Sequence, residues 1–273
     1  MKNHGSSFTH GKASVRGLIV TCVAALTMST ALTWGAVAEQ NGGAIQMLRA
    51  MSDYTASQKN ISLTYDSDIE VITPELQKIQ FASSGKLALS RPDKIRVTRT
   101  GGYTDIELVS DGKTITVLGK DANSYAQVDN SGSVDQVIDR LRGEYGVAAP
   151  GADILLSHSF DQLMEDVIDA AHIGRGVVDG VECEHLAFRN ADTDWQLWIE
   201  AGDRPIPRKY VITSKAVAGA PQYTLRIKEW KTDAPLAGDA FAFTAPQGAK
   251  KVNLDGLSDI DEVPQGVVKG SKK

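Results

Sequence analysis

Cysteine and histidine side chains that could do chemistry lie together at one point of the sequence. Cys183 and His185 are two residues apart in a segment patterned like a strand, so their side chains are expected on one face. A metal site would need further ligands, and neither His158 nor His172 lies at a ligand spacing. A histidine-activated thiol would need the imidazole to point at the sulfur, whereas i, i+2 neighbours point in parallel. We predict no metal, no cofactor and no catalytic residue, and interpret Cys183 as a buried thiol.

Carboxylate pairs two residues apart occur at Glu182/Glu184 and Asp192/Asp194. The chain has 34 Asp and Glu residues, so such pairs arise by chance, and glycosidase chemistry built on them is disfavoured. The sequence contains no G-x-S-x-G motif, no Walker loop and no dinucleotide-binding fingerprint. The sequence therefore favours a protein that is not an enzyme, and an unrecognised hydrolase is the least favoured alternative.

Alternating apolar and polar residues predict most of the elements that would position a site. The segments around Leu87, Ile95, Ile106, Trp195 and Leu225 all have the period of two that is typical of a sheet with one buried face. Asp111-Gly112 and Asp179-Gly180 predict hairpin turns. Residues 43–58 are predicted to form a helix, since Ile45, Leu48, Met51 and Tyr54 recur at helical spacing.

Two further helices are predicted in an insert at about residues 132–171. Ser133 with Gln136 and Ser159 with Gln162 each have capping-box spacing, and a small-residue loop, 146–151, lies between them. The second helix would carry a wide apolar stripe. Its predicted members are Phe160, Leu163, Met164, Val167, Ile168 and Ala171. We interpret the insert as a lid, with all of these but Ala171 as its contact residues.

The order helix, strands, helices, strands predicts an α+β fold: a curved antiparallel half-barrel sheet with helices covering its concave face. An apolar ligand would lie in the groove between the sheet and the helices. The predicted groove residues are Leu87, Leu89, Ile95, Val97, Trp195, Leu197, Ile199, Leu225 and Ile227. The alternative is that the helices pack permanently and leave no cavity. Trp195 and Trp198 fall on opposite strand faces, so one of them must lie in a groove, under a loop or against a partner.

The N-terminus predicts export. Lys2, Lys12 and Arg16 precede an uncharged apolar run at residues 17–32, and Ala36-Val37-Ala38 follows as a signal-peptidase pattern, so residues 1–38 are predicted to be a cleaved signal peptide. That run is shorter than the ~20 residues of a transmembrane helix, and no later segment is longer, so no transmembrane anchor is expected. Residues 39–252 would form a single periplasmic domain, and residues 253–273 a disordered tail.

The net charge and the cysteine content limit which partners and which disulfides are expected. Without the signal peptide, 26 basic residues face 34 acidic ones, a net charge of about −8. An acidic surface without a basic block disfavours nucleic acid as a partner. Only Cys183 would remain, so no intramolecular disulfide is expected. A monomer is the simplest expectation.

Four segments carry a family resemblance. Residues 91–97 (RPDKIRV), 183–188 (CEHLAF), 194–200 (DWQLWIE) and 205–209 (PIPRK) resemble an uncharacterised family of predicted bacterial periplasmic proteins. That family is similar in architecture to the periplasmic lipoprotein carriers of the LolA/LolB kind. The resemblance spans about residues 43–252 and implies a half-barrel wrapped over helices.

The sequence thus predicts a non-catalytic periplasmic binder or carrier of a lipid, an acyl chain or a lipoprotein. The main alternative is an envelope factor that binds a protein partner, such as an outer-membrane protein, through the same groove.

Overall fold

The computed structural model describes residues 31–147, 149–232 and 235–254, together with 257, 260, 263, 264 and 267, and side chains from residue 42 onwards. The chain divides into two units, Met1–Ala38 and Glu39–Lys273. Of the first unit, only the backbone from residue 31 is described, as helix, so most of the predicted signal peptide lies outside the described residues. Every contact and site described below lies in the second unit.

The described elements form an open sheet with a few helices. The helices are α1 (Ala31–Ser57), α2 (Val134–Gly143) and α3 (Ser159–Met164), with a 3₁₀ helix at Ala152–Leu155. The strands are β1 (Asn60–Ile72), β2 (Lys78–Ser90), β3 (Lys94–Gly101), β4 (Asp105–Asp111), β5 (Thr114–Gly119), β6 (Ser124–Asp129), β7 (Asp169–Val178), β8 (Val181–Arg189), β9 (Thr193–Glu200), β10 (Pro207–Ser214), β11 (Gln222–Thr232) and β12 (Lys250–Lys251). Their order is β12-β6-β5-β4-β3-β2-β1-β11-β10-β9-β8-β7, and only β12 with β6 is parallel.

One face of this sheet, called the inner face here, carries the core. Leu89 on β2 and Leu197 on β9 are fully buried there, in one cluster with Leu48 and Met51 of α1 and Val137 of α2. The predicted fold class, an antiparallel half-barrel-like sheet with helices over one face, is confirmed.

The opposite, outer face is covered over β3–β6 by residues 235–249, called the strap here. Arg96 on β3 donates hydrogen bonds to the carbonyls of Ala240 (3.0 Å) and Ala242 (3.2 Å). The period of two around Ile106 places Val109 on the face opposite Ile106 and Leu108, which is expected to be exposed, but Val109 on the outer face is only 2% exposed. The prediction was wrong because these strands are covered on both faces, which removes the polar side of the alternation.

Of the two capping boxes predicted in the insert, only the first is present. Ser133 and Gln136 form the predicted capping box of α2, with both reciprocal hydrogen bonds present. The second predicted box is absent, because α3 begins after His158 and the hydroxyl of Ser159 lies inside the helix without a hydrogen-bond partner.

The long second helix is also a wrong prediction, since α3 ends at Met164. Asp166 has a φ of 59°, a left-handed conformation that no helix can continue through. The Ile168 amide then donates to the Arg189 carbonyl at 2.7 Å, and Ala171 belongs to β7. Sheet pairing has overridden the helical spacing of the apolar residues.

Both predicted hairpin turns are present. Asp179 (φ 49°) and Gly180 (φ 81°) join β7 to β8, and Val178 pairs with Val181. Positive φ at both central residues is the geometry that a two-residue hairpin prefers. Gly112 (φ 90°) lies in the turn between β4 and β5.

Candidate ligand site

The predicted groove residues all lie on the inner face, within or against the core. Leu89, Leu197, Ile199, Ile227, Ile95, Trp195, Leu87 and Leu225 are between 0% and 8% exposed, and Val97 packs against them half-buried. Their shared face is as predicted. Helix side chains already cover them, so apart from Ile199, which lines the cleft described below, they do not line an open groove in this conformation.

Aromatic packing fills the β8–β10 part of that face. The rings of Phe188 and Trp195 stack with centroids 3.9 Å apart, and Tyr210 meets Trp195 edge-on at 5.9 Å. The Trp195 indole N–H donates to the Asn190 side chain at 3.0 Å. The indole ring and its one polar atom are therefore both satisfied inside the protein.

The predicted lid residues do not form one surface. Leu163 is buried, and Phe160, Met164 and Val167 pack half-buried against the core, whereas Ile168 is 67% exposed. The Arg49 guanidinium of α1 lies 3.6 Å from the centre of the Phe160 ring, a cation–π contact that joins α3 to α1.

A half-buried arginine joins the insert to the sheet. Arg91, at the end of β2, donates from Nη2 to the Leu155 carbonyl at 2.6 Å. Burial lowers the pKa of Arg91, and the neighbouring Asp135 carboxylate acts in the opposite direction. Asp135 also accepts a hydrogen bond from the Ser157 amide at 3.1 Å, so sheet, α2 and insert loop meet here.

An open cleft of about 500 Å³ lies between α1 and the β8–β9 end of the sheet. Its α1 wall is formed by Met47, Ala50 and Tyr54. The facing wall comprises Glu184, Ile199, Glu200, Ala201, Gly202, Asp203 and Pro205. Apolar walls with a few carboxylates at the rim are typical of a site for an amphipathic ligand.

The carboxylates of this cleft are largely paired. Glu184 contacts His172 Nε2 at 2.8 Å and accepts from Arg175 Nε at 2.9 Å. Arg175 also donates to Glu182 at 2.8 Å, and these hydrogen bonds raise the pKa of the guanidinium. Glu200 accepts from Arg208 Nε at 2.9 Å. Pairing of this kind gives the cleft a polar rim.

Cys183 and His185 do lie on one strand face, but each has its own surroundings. The fully buried Cys183 thiol donates to the Val181 carbonyl at 3.4 Å, and burial raises its pKa. His185 stacks on Trp198 with ring centroids 4.1 Å apart, and its Nε2 is 2.9 Å from the Gln196 side-chain oxygen. A thiol with a raised pKa is a weak nucleophile.

Within the described residues, no group of three or more His, Cys, Asp or Glu side chains could hold a metal ion. Of the second carboxylate pair noted in the sequence, Asp194 forms an ion pair with Lys215 at 2.8 Å.

No described helix is long and apolar enough to span a membrane.

The sequence did not single out the cleft. Tyr54 had been placed on a helix face and Pro205 in a family motif, but neither had been assigned to a site. The two walls are about 150 residues apart in sequence, so only the fold brings them together. A proline-bounded loop after a strand that contains two Trp residues is the one local feature that could have indicated the second wall.

Comparison with known proteins gives the family. Residues 44–255 match the family of predicted periplasmic proteins described as DUF2092, and the chain belongs to it. The predicted family and the periplasmic location are thereby confirmed. No curated protein matches the chain by sequence.

Several solved structures are similar in fold. An uncharacterized conserved protein from Thermus thermophilus is 13% identical with a TM-score of 0.46, over 77% of this chain and 99% of that one. The Mycobacterium tuberculosis lipoprotein LppX is 14% identical with a TM-score of 0.46, over 72% and 98%. LprF from Mycobacterium bovis is 14% identical with a TM-score of 0.44, over 77% and 99%.

Proposed function

We propose that this protein is a non-catalytic periplasmic binder or carrier of an apolar ligand, such as a lipid, an acyl chain or an acylated protein. The observation that carries the proposal is the cleft of about 500 Å³ between α1 and the β8–β9 end of the sheet. Sites for small molecules typically measure ~300–1,000 Å³ and combine apolar walls with a few polar groups. Met47, Tyr54 and Ile199 supply the walls, and Glu184 and Asp203 the rim.

The cleft also leads toward the predicted groove, because Ile199 belongs to both. An acyl chain longer than the cleft would extend along the inner face once the insert moves away. That movement would break the Arg91–Leu155 hydrogen bond and uncover Leu163, at about 1.5–3 kcal/mol for a buried leucine. An entering chain gains ~0.8 kcal/mol per buried CH₂, so chains of about ten carbons or more are expected to bind best.

The direct test of the proposed site is a substitution that fills the cleft. Ala50→Trp places an indole on the exposed α1 wall, whereas Gln46→Trp changes an exposed residue one turn earlier that does not line the cleft. We expect Ala50→Trp to weaken binding of a fluorescent C16 fatty acid at least tenfold and Gln46→Trp to leave it unchanged. Equal binding by both variants and the wild type would refute the site. Absence of binding by the wild type would refute the proposed function.

The hypothesis that the insert is a lid is tested at the hydrogen bond that joins the insert to the sheet. Arg91→Met keeps most of the side-chain volume and removes the donor to Leu155. If the insert gates the groove, probe uptake should become several-fold faster than in the wild type. Arg226→Met, at an exposed arginine on β11, serves as the matched control. Unchanged uptake in Arg91→Met would mean that the insert is not a gate.

Binding of a protein partner is the second candidate function, and the free edge of the sheet favours it. In the part of the chain that the structure describes, β7 pairs only with β8. Ile173 is 57% exposed and Val177 71%. An extended segment of another envelope protein could add there as a further strand. Val177→Lys should abolish such an interaction without affecting the binding of fatty acid.

A further inference from the structure

The charged residues that line the cleft between α1 and the β8–β9 end of the sheet are all acidic. Glu184, Glu200 and Asp203 belong to the lining, and among the described residues no lysine, arginine or histidine does. The whole chain is far less one-sided, with 29 basic residues against 34 acidic ones. A carboxylate accepts hydrogen bonds and donates none, so this lining offers acceptors to the head of a bound amphiphile.

Two of the three carboxylates already have cationic partners in the protein. Glu184 lies between His172 Nε2, at 2.8 Å, and Arg175 Nε, at 2.9 Å, and each contact uses a different carboxylate oxygen. Glu200 accepts a hydrogen bond from Arg208 Nε at 2.9 Å. A ligand head would have to displace these partners, so neither carboxylate is the preferred place for it.

Asp203 is the lining carboxylate without such a partner. It is exposed in the loop between β9 and β10, and in the described part of the chain its side chain forms no hydrogen bond and no ion pair. The adjacent Arg204 does not line the cleft, and it forms no ion pair with a described carboxylate. The negative charge of Asp203 is therefore available to a ligand.

The backbone of the β9–β10 loop holds Asp203 at the cleft. Before it, the Ala201 amide donates to the Glu182 carbonyl at 3.0 Å. Around it, the Glu200 amide donates to the Ile206 carbonyl at 2.8 Å and closes the loop. Because the loop is already ordered, an ion pair formed at Asp203 costs less conformational entropy than one formed on a free loop.

The apolar walls and this carboxylate together describe a complementary ligand. Met47 and Tyr54 line the cleft from α1, and Ile199 and Pro205 line it from the sheet, so an alkyl chain fits between them. An ammonium head has three donors and no acceptor, and it forms charge-assisted hydrogen bonds with a carboxylate. A carboxylate or phosphate head would instead meet the like charge of Asp203.

We propose that the cleft selects its ligand by the charge of the head: it prefers an amphiphile with an alkyl chain and a primary ammonium head, and the head pairs with Asp203. This inference rests on the function proposed above and names the class of ligand that the cleft prefers. Exposed ion pairs are weak, so the preference between heads of opposite charge amounts to about tenfold in affinity. A fatty acid still binds through its chain, but more weakly.

The test compares two probes with the same chain, dodecylammonium and dodecanoate, which carry opposite charges at pH 7. Isothermal titration calorimetry on the full chain measures both affinities below the micelle concentrations. We expect the wild type to bind dodecylammonium about tenfold more tightly at about 20 mM salt, and the ratio to fall toward one at about 500 mM. Asp203→Asn should lower the ratio at least threefold, and Asp203→Lys should make dodecanoate the tighter ligand.

Asp192→Asn is the matched control, because it removes one charge from an exposed loop at the opposite end of β9. It should leave the ratio unchanged. An equal effect of Asp192→Asn and Asp203→Asn would trace the preference to net charge and overturn the proposal. Dodecanoate that binds the wild type as tightly as dodecylammonium would also overturn it, while leaving the carrier function intact. If neither probe binds the wild type, the carrier function is refuted and this inference with it.

Discussion

The two ends of the sheet differ in how they are covered. The β3–β6 end, called the closed end here, is covered on both faces: the strap lies on its outer face, core side chains on its inner face, and β12 on its edge. A cleft of about 580 Å³ lies beside it, between the β4–β5 turn and α2, and is lined mostly by polar residues. At the β7–β10 end, the described residues leave the edge of β7 unpaired, and a cleft opens beside α1. A strand covered on both faces contributes stability but offers no access to a ligand. We therefore expect the closed end to contribute mainly stability, and we propose the binding site at the open end.

The largest expected effect is the difference in unfolding free energy between a core substitution and an edge substitution at the open end. Leu197→Asp buries an unpaired carboxylate at a fully buried position and should destabilise the fold by several kcal/mol, enough to prevent folding. Val177→Asp, at a residue that is 71% exposed on β7, should change the free energy of unfolding by only tenths. Urea denaturation measures both. Similar losses in the two variants would contradict the assigned register.

A smaller effect tests the strap at the closed end. Arg96→Ala removes hydrogen bonds to Ala240 and Ala242 together with an ion pair to Glu107, and should cost about 1–3 kcal/mol. Arg226→Ala, an exposed outer-face arginine on β11, should cost less than about 0.5 kcal/mol. If both substitutions cost the same, the strap does not stabilise the closed end.

A pH effect is expected at the open end, at His185. Burial lowers the pKa of His185, and its contact with Gln196 offsets this in part. The unfolded chain binds a proton near the ordinary value of 6.5, and the folded chain only at lower pH. Stability should therefore fall as the pH drops below about 6.5. His185→Gln should flatten this dependence in urea titrations between pH 7.5 and 5. An unchanged slope in His185→Gln would remove His185 as the cause.

The smallest expected change concerns Cys183, which should stay silent in the folded state. Its thiol is fully buried with a raised pKa, so a thiol reagent at pH 8 should modify it only after unfolding. Stoichiometric labelling of the native protein within minutes would show that the β7–β8 end opens more readily than the contacts of Cys183 indicate.

The sequence predicted correctly those elements that depend only on neighbouring residues: alternating strands, turns and helix caps. Leu87 and Ile95 alternate with polar neighbours, Asp179-Gly180 has turn geometry, and Ser133 caps α2, so these predictions were confirmed. The alternation failed at Val109, because the strap that covers this residue lies about 130 residues further along the chain.

Distant pairing also explains the two remaining differences. The apolar spacing of residues 160–171 is helical, but pairing of β7 with β8 takes the end of that segment, from Asp169, into the sheet. The cleft joins Tyr54 to Pro205, and no local pattern can indicate such a meeting. The elements with local signals were therefore predictable, whereas the extent of α3 and the open and closed ends of the sheet were not.

The most direct test of the open end is to locate a bound ligand chemically. A C16 fatty acid with a terminal diazirine, photolysed in complex with the protein, labels the side chains around its chain. Peptide mass spectrometry should find the label on Met47 or Tyr54 of α1 and on the 199–205 segment, the two walls of the cleft. Ala50→Trp should remove it. Label concentrated on β4–β6 would contradict the assignment of binding to the open end.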